Sequence, residues 1–366
     1  MEKKIVIFAL FLLPILFYTH SSKSENTIAI VTGCEGTVVI HNLSTNQTDT
    51  ASLGYELTEK SIISVKGEGK SIIYFYDGNL VSLYQNQSLK LGTDFESSEV
   101  VNIESNLKGK KESFKFWNSG LALSSNQDRE RALFTPGILK EIDDSDTTEY
   151  LTPILPANKL LGNEISFAWN SEKYGGEFRY ESKDYTALIY DTKGSVILSK
   201  TFAWKSGVSK TIPAVKIDNE FITAGGTFYY TVYPTLQSPP IFDSLKVFNG
   251  GIEVTNKKNA SKPYSTLKAK FEIPAKEEIE KINFELKRIH YMYVDGVADL
   301  NTVNLLSVLY LKKEGFYLDA IYYLDKVIGD PVTAPDNLIK EKAVLLKLAG
   351  GKAAEPIISV LSYYLR

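Results

Sequence analysis

Histidines, cysteines and clustered carboxylates are the side chains with which this chain would do chemistry, and they are scarce. The 366 residues hold three histidines, His20, His41 and His290, and one cysteine, Cys34. None has partners at the spacing that a zinc site or a Ser-His-Asp arrangement uses. No glycine-rich phosphate loop, paired-histidine helix or nucleophile elbow occurs. The run Asp143-Asp144-Ser145-Asp146 offers carboxylates for calcium. It lacks the central glycine and distal glutamate of a calcium loop, so it reads as a solvated linker. Glycosidase-type carboxylate pairs leave no local signature, because the two acids can lie far apart in sequence. No catalytic set, metal or cofactor is therefore expected.

The remaining candidates are aromatic. Trp169, Tyr190 and Trp204 could stack on sugar rings, which makes a glycan one candidate ligand. Two of the three fall at strand-alternation positions, and there the expected role is core packing. Cys34 sits in Val31-Thr32-Gly33-Cys34, where Ile28 and Ile30 already alternate as in a strand. A small buried strand residue is expected at Cys34, and lipidation is not. One cysteine also excludes an internal disulfide, so stability must come from packing.

Length and composition set what must position these residues. A chain of 366 residues exceeds one ordinary core, so two or three domains are expected. Hydrophobic residues make up 43% and charged residues 23%, which is globular, and the net charge of -3 carries no basic, aromatic-interleaved cluster. Nucleic acid is not an expected partner. Lys3 and Lys4 precede a 15-residue apolar run, Ile5 to Thr19. A spanning helix needs about 20 residues, so residues 1–24 read as a cleaved export signal with Ser22 and Ser24 at the cut. No membrane span is expected after processing. The alternative is an uncleaved anchor in the inner membrane.

From Ile28 to about Gly137 the pattern is one of strands alone. Ile62, Ser64 and Lys66 oppose Ile63 and Val65, and "SIIYFYDG" puts Ile73 and Phe75 on one face. Asp77, Gly78, Asn86 and Ser88 read as turn-formers. The order resembles the FecR-like domain of bacterial envelope proteins over residues 28–140. The motif elements are Gly36, Val38 and Ile40; Gly54 and Leu57; Ile63 and Val65; Lys70 and Ser71; Ile73, Phe75, Asp77 and Gly78; then Leu83, Asn86, Ser88 and Leu89. "SGLALSS" and "ALFTPG" at 132–137 resemble the family's second half. Two steps depart from it: Glu59-Lys60-Ser61 replaces the acidic G-D, and "ILKEIDDSDTTE" replaces the strand after T-P-G.

After the Pro-marked boundary "TPILPANKLLGN", residues 150–236 carry about seven short strands: Ile165-Phe167-Trp169, Phe178 with Tyr180, "YTALIYD", "SVILSKTFAW", "SKTIPAV", "FIT" and "TFYYTVYP". This predicts a two-sheet sandwich resembling immunoglobulin-like modules. From about Ala275 to Arg366 the period turns helical. "LYLKKEGFYLDAIYYLDKVIGDP" resembles a tetratricopeptide repeat, with Leu311, Gly315, Ala320, Leu324 and Pro331 at its packing and turn positions. A degenerate second pair is predicted from Asn337 to Leu365 around Gly350-Gly351. One clear repeat is too few for a free solenoid, so the tail must pack on a neighbour or cap an assembly.

The fold class expected is multidomain β plus α: an all-β FecR-like domain, a β-sandwich and helical hairpins. The function expected is an exported, non-catalytic envelope protein of binding or scaffolding type, in the periplasm or outer envelope, with a protein partner there. FecR-like regulators also reach a sigma factor through a cytoplasmic segment, and only Met1 to Lys4 precede the apolar run here. The alternatives are a membrane-anchored FecR-like regulator of signal transduction and a cell-wall or carbohydrate-binding protein.

Overall fold

The computed structural model describes residues 26–93, 97–102, 112–115, 121–125, 128–129, 131–132, 152–162, 164–170, 184–203, 214–218, 225–234, 252–253 and 268–365. The export signal, the run Asp143 to Asp146, the T-P-G turn at 135–137, the Phe178 and Tyr180 strand, "FIT" and Trp204 lie outside these residues. Within them the chain is a mixed β plus α protein, with strands first and helices last.

Two long strands dominate the N-terminal sheet, β1 (Thr27–Asn42) and β4 (Ser61–Phe75), rich in the Val, Ile and Thr that suit a pleated surface. They run antiparallel from Ala29 opposite Phe75 to Asn42 opposite Ser61, with register shifts between Val31 and Gly33 and between Glu35 and Thr37. Gly36 sits in the second shift at a φ of 73°, a conformation that favours glycine and bends the strand. Shorter strands complete the sheet: β2 (Gln47–Thr50), β3 (Glu56–Thr58), β5 (Asn79–Tyr84), β6 (Gln87–Lys90), β7 (Glu99–Asn102) and β8 (Glu112–Lys115). The main path is β2-β1-β4-β5-β8; β3 pairs with β1, and β6 joins β4 to β7.

Alternation divides this sheet into two buried faces. Ala29, Val31, Ile63, Val65, Ile73, Phe75 and Leu83 fill the inner core, while Ile30, Ile72, Tyr74 and Leu80 point the other way and join the helical core. The turn after β4 has Gly78 at a φ of 100°, and Asp77 Oδ1 accepts from the Asn79 N–H at 3.0 Å. The turn after β5 has Asn86 at a φ of 57°. Ser88 is a correction to the turn-former reading: it lies inside β6, opposite Ser64 and Val101, and is buried. Asn86 has already reversed the chain, so Ser88 falls in the ladder.

Residues 128–129 and 131–132 are helical, within a segment expected to hold strands only. Ser125 explains the departure. Its Oγ accepts from the Asp128 N–H at 3.1 Å and donates to Asp128 Oδ2 at 2.7 Å, an N-terminal capping arrangement that starts a helix.

The region read as a sandwich holds two sheets, formed by β9 (Thr152–Leu155), β10 (Asn158–Lys159), β11 (Glu164–Asn170), β12 (Asp184–Tyr190), β13 (Val196–Ala203), β14 (Ala214–Asp218), β15 (Gly226–Pro234), β16 (Ile252–Glu253) and β17 (Lys268–Ile273). One sheet has the order β10-β17-β15-β12-β13, with β16 on β17; the other is β14-β11-β9. Ile165 and Phe167 of the smaller sheet pack on Tyr185, Ile189, Tyr230 and Phe271 of the larger, and the Phe167 ring meets Tyr230 edge-on at 5.2 Å. β17 lies beyond residue 236, in sequence read as loop before the helices. It pairs with β15 from Gly226 opposite Ile273 to Tyr230 opposite Ala269, and its alternating Phe271 and Ile273 belong to the sandwich core.

The helices are α1 (Lys276–Val294), α2 (Leu300–Glu314), α3 (Tyr317–Ile328), α4 (Asp336–Gly350) and α5 (Glu355–Leu361), with a 3-10 turn at Gly351–Ala354 before the last. Asp299 caps α2 by accepting from the Thr302 N–H at 2.7 Å, and Gly315 ends it at a φ of 86°. In α2, ten successive residues from Thr302 to Leu311 are buried. A helix buried on every side is enclosed by its neighbours, so the helical tail packs onto the rest of the chain. The apolar cluster that holds α2 also takes in Ile30, Ile72 and Tyr74 of the first sheet and Leu155, Leu161 and Ala168 of the sandwich.

Candidate functional site

The residues singled out in the repeat occupy one hairpin. Leu311, Ala320 and Leu324 are fully buried between α2 and α3, Gly315 makes the left-handed turn, and Pro331 follows the Gly329 that ends α3. A methyl group at Ala320 is what lets the two helices meet closely. Of the aromatic trio, Tyr190 is 7% exposed and packs with Leu188 and Tyr229, so its ring offers no face to a sugar. The backbone of Trp169 lies in β11, and Trp204 lies outside the described residues. Cys34 is half-buried in β1, its thiol pushed up by burial first and by Asp299 and Glu35 next.

A polar cluster not anticipated from sequence lies where the helices meet the first sheet. Glu341 of α4 has no exposed surface, and its Oε1 accepts from Lys312 Nζ of α2 at 2.9 Å. Ser124 adds its N–H to Oε2 at 2.9 Å and its hydroxyl to Oε1 at 3.2 Å. Lys312 Nζ also donates to Ser124 Oγ at 2.9 Å and to the Ala122 carbonyl at 3.2 Å. Close by, Arg129 Nη2 meets Glu56 Oε2 of β3 at 2.7 Å. Burial pushes the Glu56 carboxyl up, against the pull of Arg129. Tyr76, facing the same charges, has its phenol raised by burial first and then by Glu56.

A serine beside a lysine invites comparison with Ser-Lys nucleophilic sites, and the geometry argues against it. A lysine base needs a free lone pair, whereas Lys312 directs its ammonium hydrogens at three acceptors. Ser124 directs its hydroxyl at a carboxylate. Two acids and two bases balance in charge, and every contact runs between segments distant in sequence. The cluster clasps Ala122 and Ser124 to α2 and α4, and Arg129 to the first sheet.

A second set of contacts fastens the sandwich. Asn158 sits between β9 and β11 at a φ of 60°, and its Nδ2 donates to the carbonyls of Leu348 and Ala349 at 2.8 and 2.7 Å. Those are terminal carbonyls of α4 that no intrahelical N–H can fill. Lys159 Nζ meets Glu278 Oε1 of α1 at 2.9 Å, and the Leu161 N–H donates to Asp319 Oδ2 of α3 at 3.1 Å. Burial pushes the Asp319 carboxyl up to about 6, although the Leu161 and Asp319 backbone N–H groups pull it down.

Two glycines complete the approach of the first sheet to the helices. A β-carbon at Gly33 would lie 2.5 Å from Asp299 Oδ2, and one at Gly54 would lie 2.6 Å from Asn337 Nδ2 and Leu338 Cδ2. Asn337 Nδ2 donates to the Gly54 carbonyl. Among the described residues, no group of three or more metal-ligating side chains converges, and no helix is long and apolar enough to cross a membrane.

No family model matches the chain. No curated protein matches it. Among solved structures, one titled "Cell surface anchoring domain" is 22% identical over 18% of this chain and 87% of its own, with a TM-score of 0.18. Another, titled "Biofilm associated protein - BSP domain", is 10% identical over 58% of this chain and 26% of its own, with a TM-score of 0.15. Likenesses this slight carry no argument about fold or activity.

Proposed function

We propose that this is an exported, non-catalytic protein of the cell envelope that acts as a scaffold or binding module. The observation that carries the reading is the use made of its buried polar side chains. Lys312, Glu341, Ser124, Arg129, Glu56 and Asp319, together with the exposed Asn158, are engaged in contacts that join strands, helices and the segments beside them. Surfaces of strands and helices are then what a partner protein would meet. The FecR-like character of residues 28–140 and the immunoglobulin-like character of the middle sandwich belong to this proposal. They rest on the motif order of the first and the two-sheet core of the second.

Mass spectrometry of the chain from fractionated cells tests the export reading. A mature N-terminus between Ser22 and Glu25 in the envelope fraction is the expected result. An intact Met1 held in the inner membrane would favour the anchored regulator, and a soluble cytoplasmic chain would overturn both. Cross-linking of the full chain in the envelope should then capture a protein neighbour.

A further inference from the structure

The face of α1 turned away from the core carries an apolar stripe between charged flanks. Ile282, Ile289 and Met292 are buried on one side of this helix. On the opposite side Phe284 is 65% exposed and Tyr291 59% exposed, and seven residues apart they lie about 20° from one another around the axis. Charges flank the stripe: Glu277 and Glu280 lie in the first turns beside Lys276 and Lys281, and Lys287 and Arg288 lie in the later ones. Glu280 and Lys287 lie on one flank of the stripe, Glu277 and Arg288 on the other.

We propose that the full chain forms a two-fold dimer through antiparallel pairing of α1 with α1 of a second copy. In an antiparallel pair like flanks meet, so Glu280 faces Lys287 of the partner subunit and Glu277 faces Arg288 of the partner subunit. The midpoint of the first pairing falls between residues 283 and 284, and that of the second between 282 and 283. Both pairings thus share one dyad to within a residue, about 1.5 Å along the helix. Phe284 lies beside that dyad, and the two Phe284 rings cover each other. A parallel pair would set acid against acid and base against base. The charges that α1 now uses within itself, Lys276 with Glu280 at 3.7 Å and Arg288 with Glu285 at 3.3 Å, are exposed pairs that exchange partners at little cost.

The face is small. Nineteen residues span about 28 Å, and one face of a helix about 10 Å wide offers well under the roughly 800 Å² per partner of a standard interface. The dimer is therefore of the weak, concentration-dependent kind. Sedimentation of the mature full chain across a wide concentration range should show reversible growth from one to two copies. Glu280→Lys and Lys287→Glu should each weaken self-association about tenfold or more. Mixing the two variants should restore a dimer, because every cross-pair becomes acid against base. The mixture also separates loss of the interface from loss of the fold. A chain that stays monomeric at all concentrations overturns the proposal, as does a dimer that neither variant weakens.

Discussion

A carboxylate without exposed surface is tolerated only when its oxygens are filled, and Glu341 fills them with Lys312 and Ser124. Replacing Glu341 by alanine strands the ammonium of a lysine whose side chain is only 17% exposed. Such a change is expected to lower stability by about 3 kcal/mol, read as a fall in the urea midpoint. Joint replacement by Lys312→Met and Glu341→Leu should recover most of the loss, because no charge is then left unpaired. Glu341 had a signal in the sequence, an acid among Leu338, Val344 and Leu345 on an apolar helix face. What it pairs with was not legible, because Ser124 lies 217 residues away.

Asp319 is the residue through which pH reaches the sandwich junction. Its folded carboxyl holds a proton up to about 6, above the ordinary 3.8, so folding takes up a proton between those values. The stabilisation is complete below about 4 and is lost as pH rises through about 6. Asp319→Asn, which keeps an oxygen for the Leu161 N–H, should therefore exceed the parent in stability at pH 8 by about 1–3 kcal/mol. The two should converge near pH 4. Equal denaturation midpoints at pH 8 would show that the carboxylate is solvated there.

At the scale of elements, alternation was legible because it is local. Ile73 and Phe75 on one face and Ile72 and Tyr74 on the other follow from a period of two, and the α2 to α3 hairpin follows from apolar spacing and Gly315. The segment "TPILPANKLLGN" reads as a boundary from its prolines, yet in the structure it fastens the sandwich to the helices. Asn158, Lys159 and the Leu161 N–H meet partners on α4, α1 and α3, and partners more than 100 residues away leave no mark in a local window. β17 was hidden in the same way, since its strand pattern of three charges and two large apolar residues becomes legible only beside β15. Asn158→Ala should cost about 1–2 kcal/mol by emptying the carbonyls of Leu348 and Ala349. Faster proteolysis within residues 152–162 should accompany the loss.

For the molecule as a whole, the enclosure of α2 makes the helical tail dependent on both β modules. In the intact chain, Thr302 to Leu311 are buried within an apolar cluster that also holds residues of the first sheet and the sandwich. Cut free at residue 275, the tail would expose one side of a helix whose residues are apolar nearly all round, together with the Lys312 and Glu341 pair. Five short helices with one repeat-like hairpin cannot cover that surface alone. The fragment 275–366 is therefore expected to aggregate or to show helical circular dichroism without a cooperative melt. The full chain should instead lose near-ultraviolet signals from the sandwich tyrosines and far-ultraviolet helical signal in coincident transitions. Transitions that separate by more than a few degrees would mean that the clasp around Glu341 and the contacts of Asn158 hold surfaces together without coupling their folding.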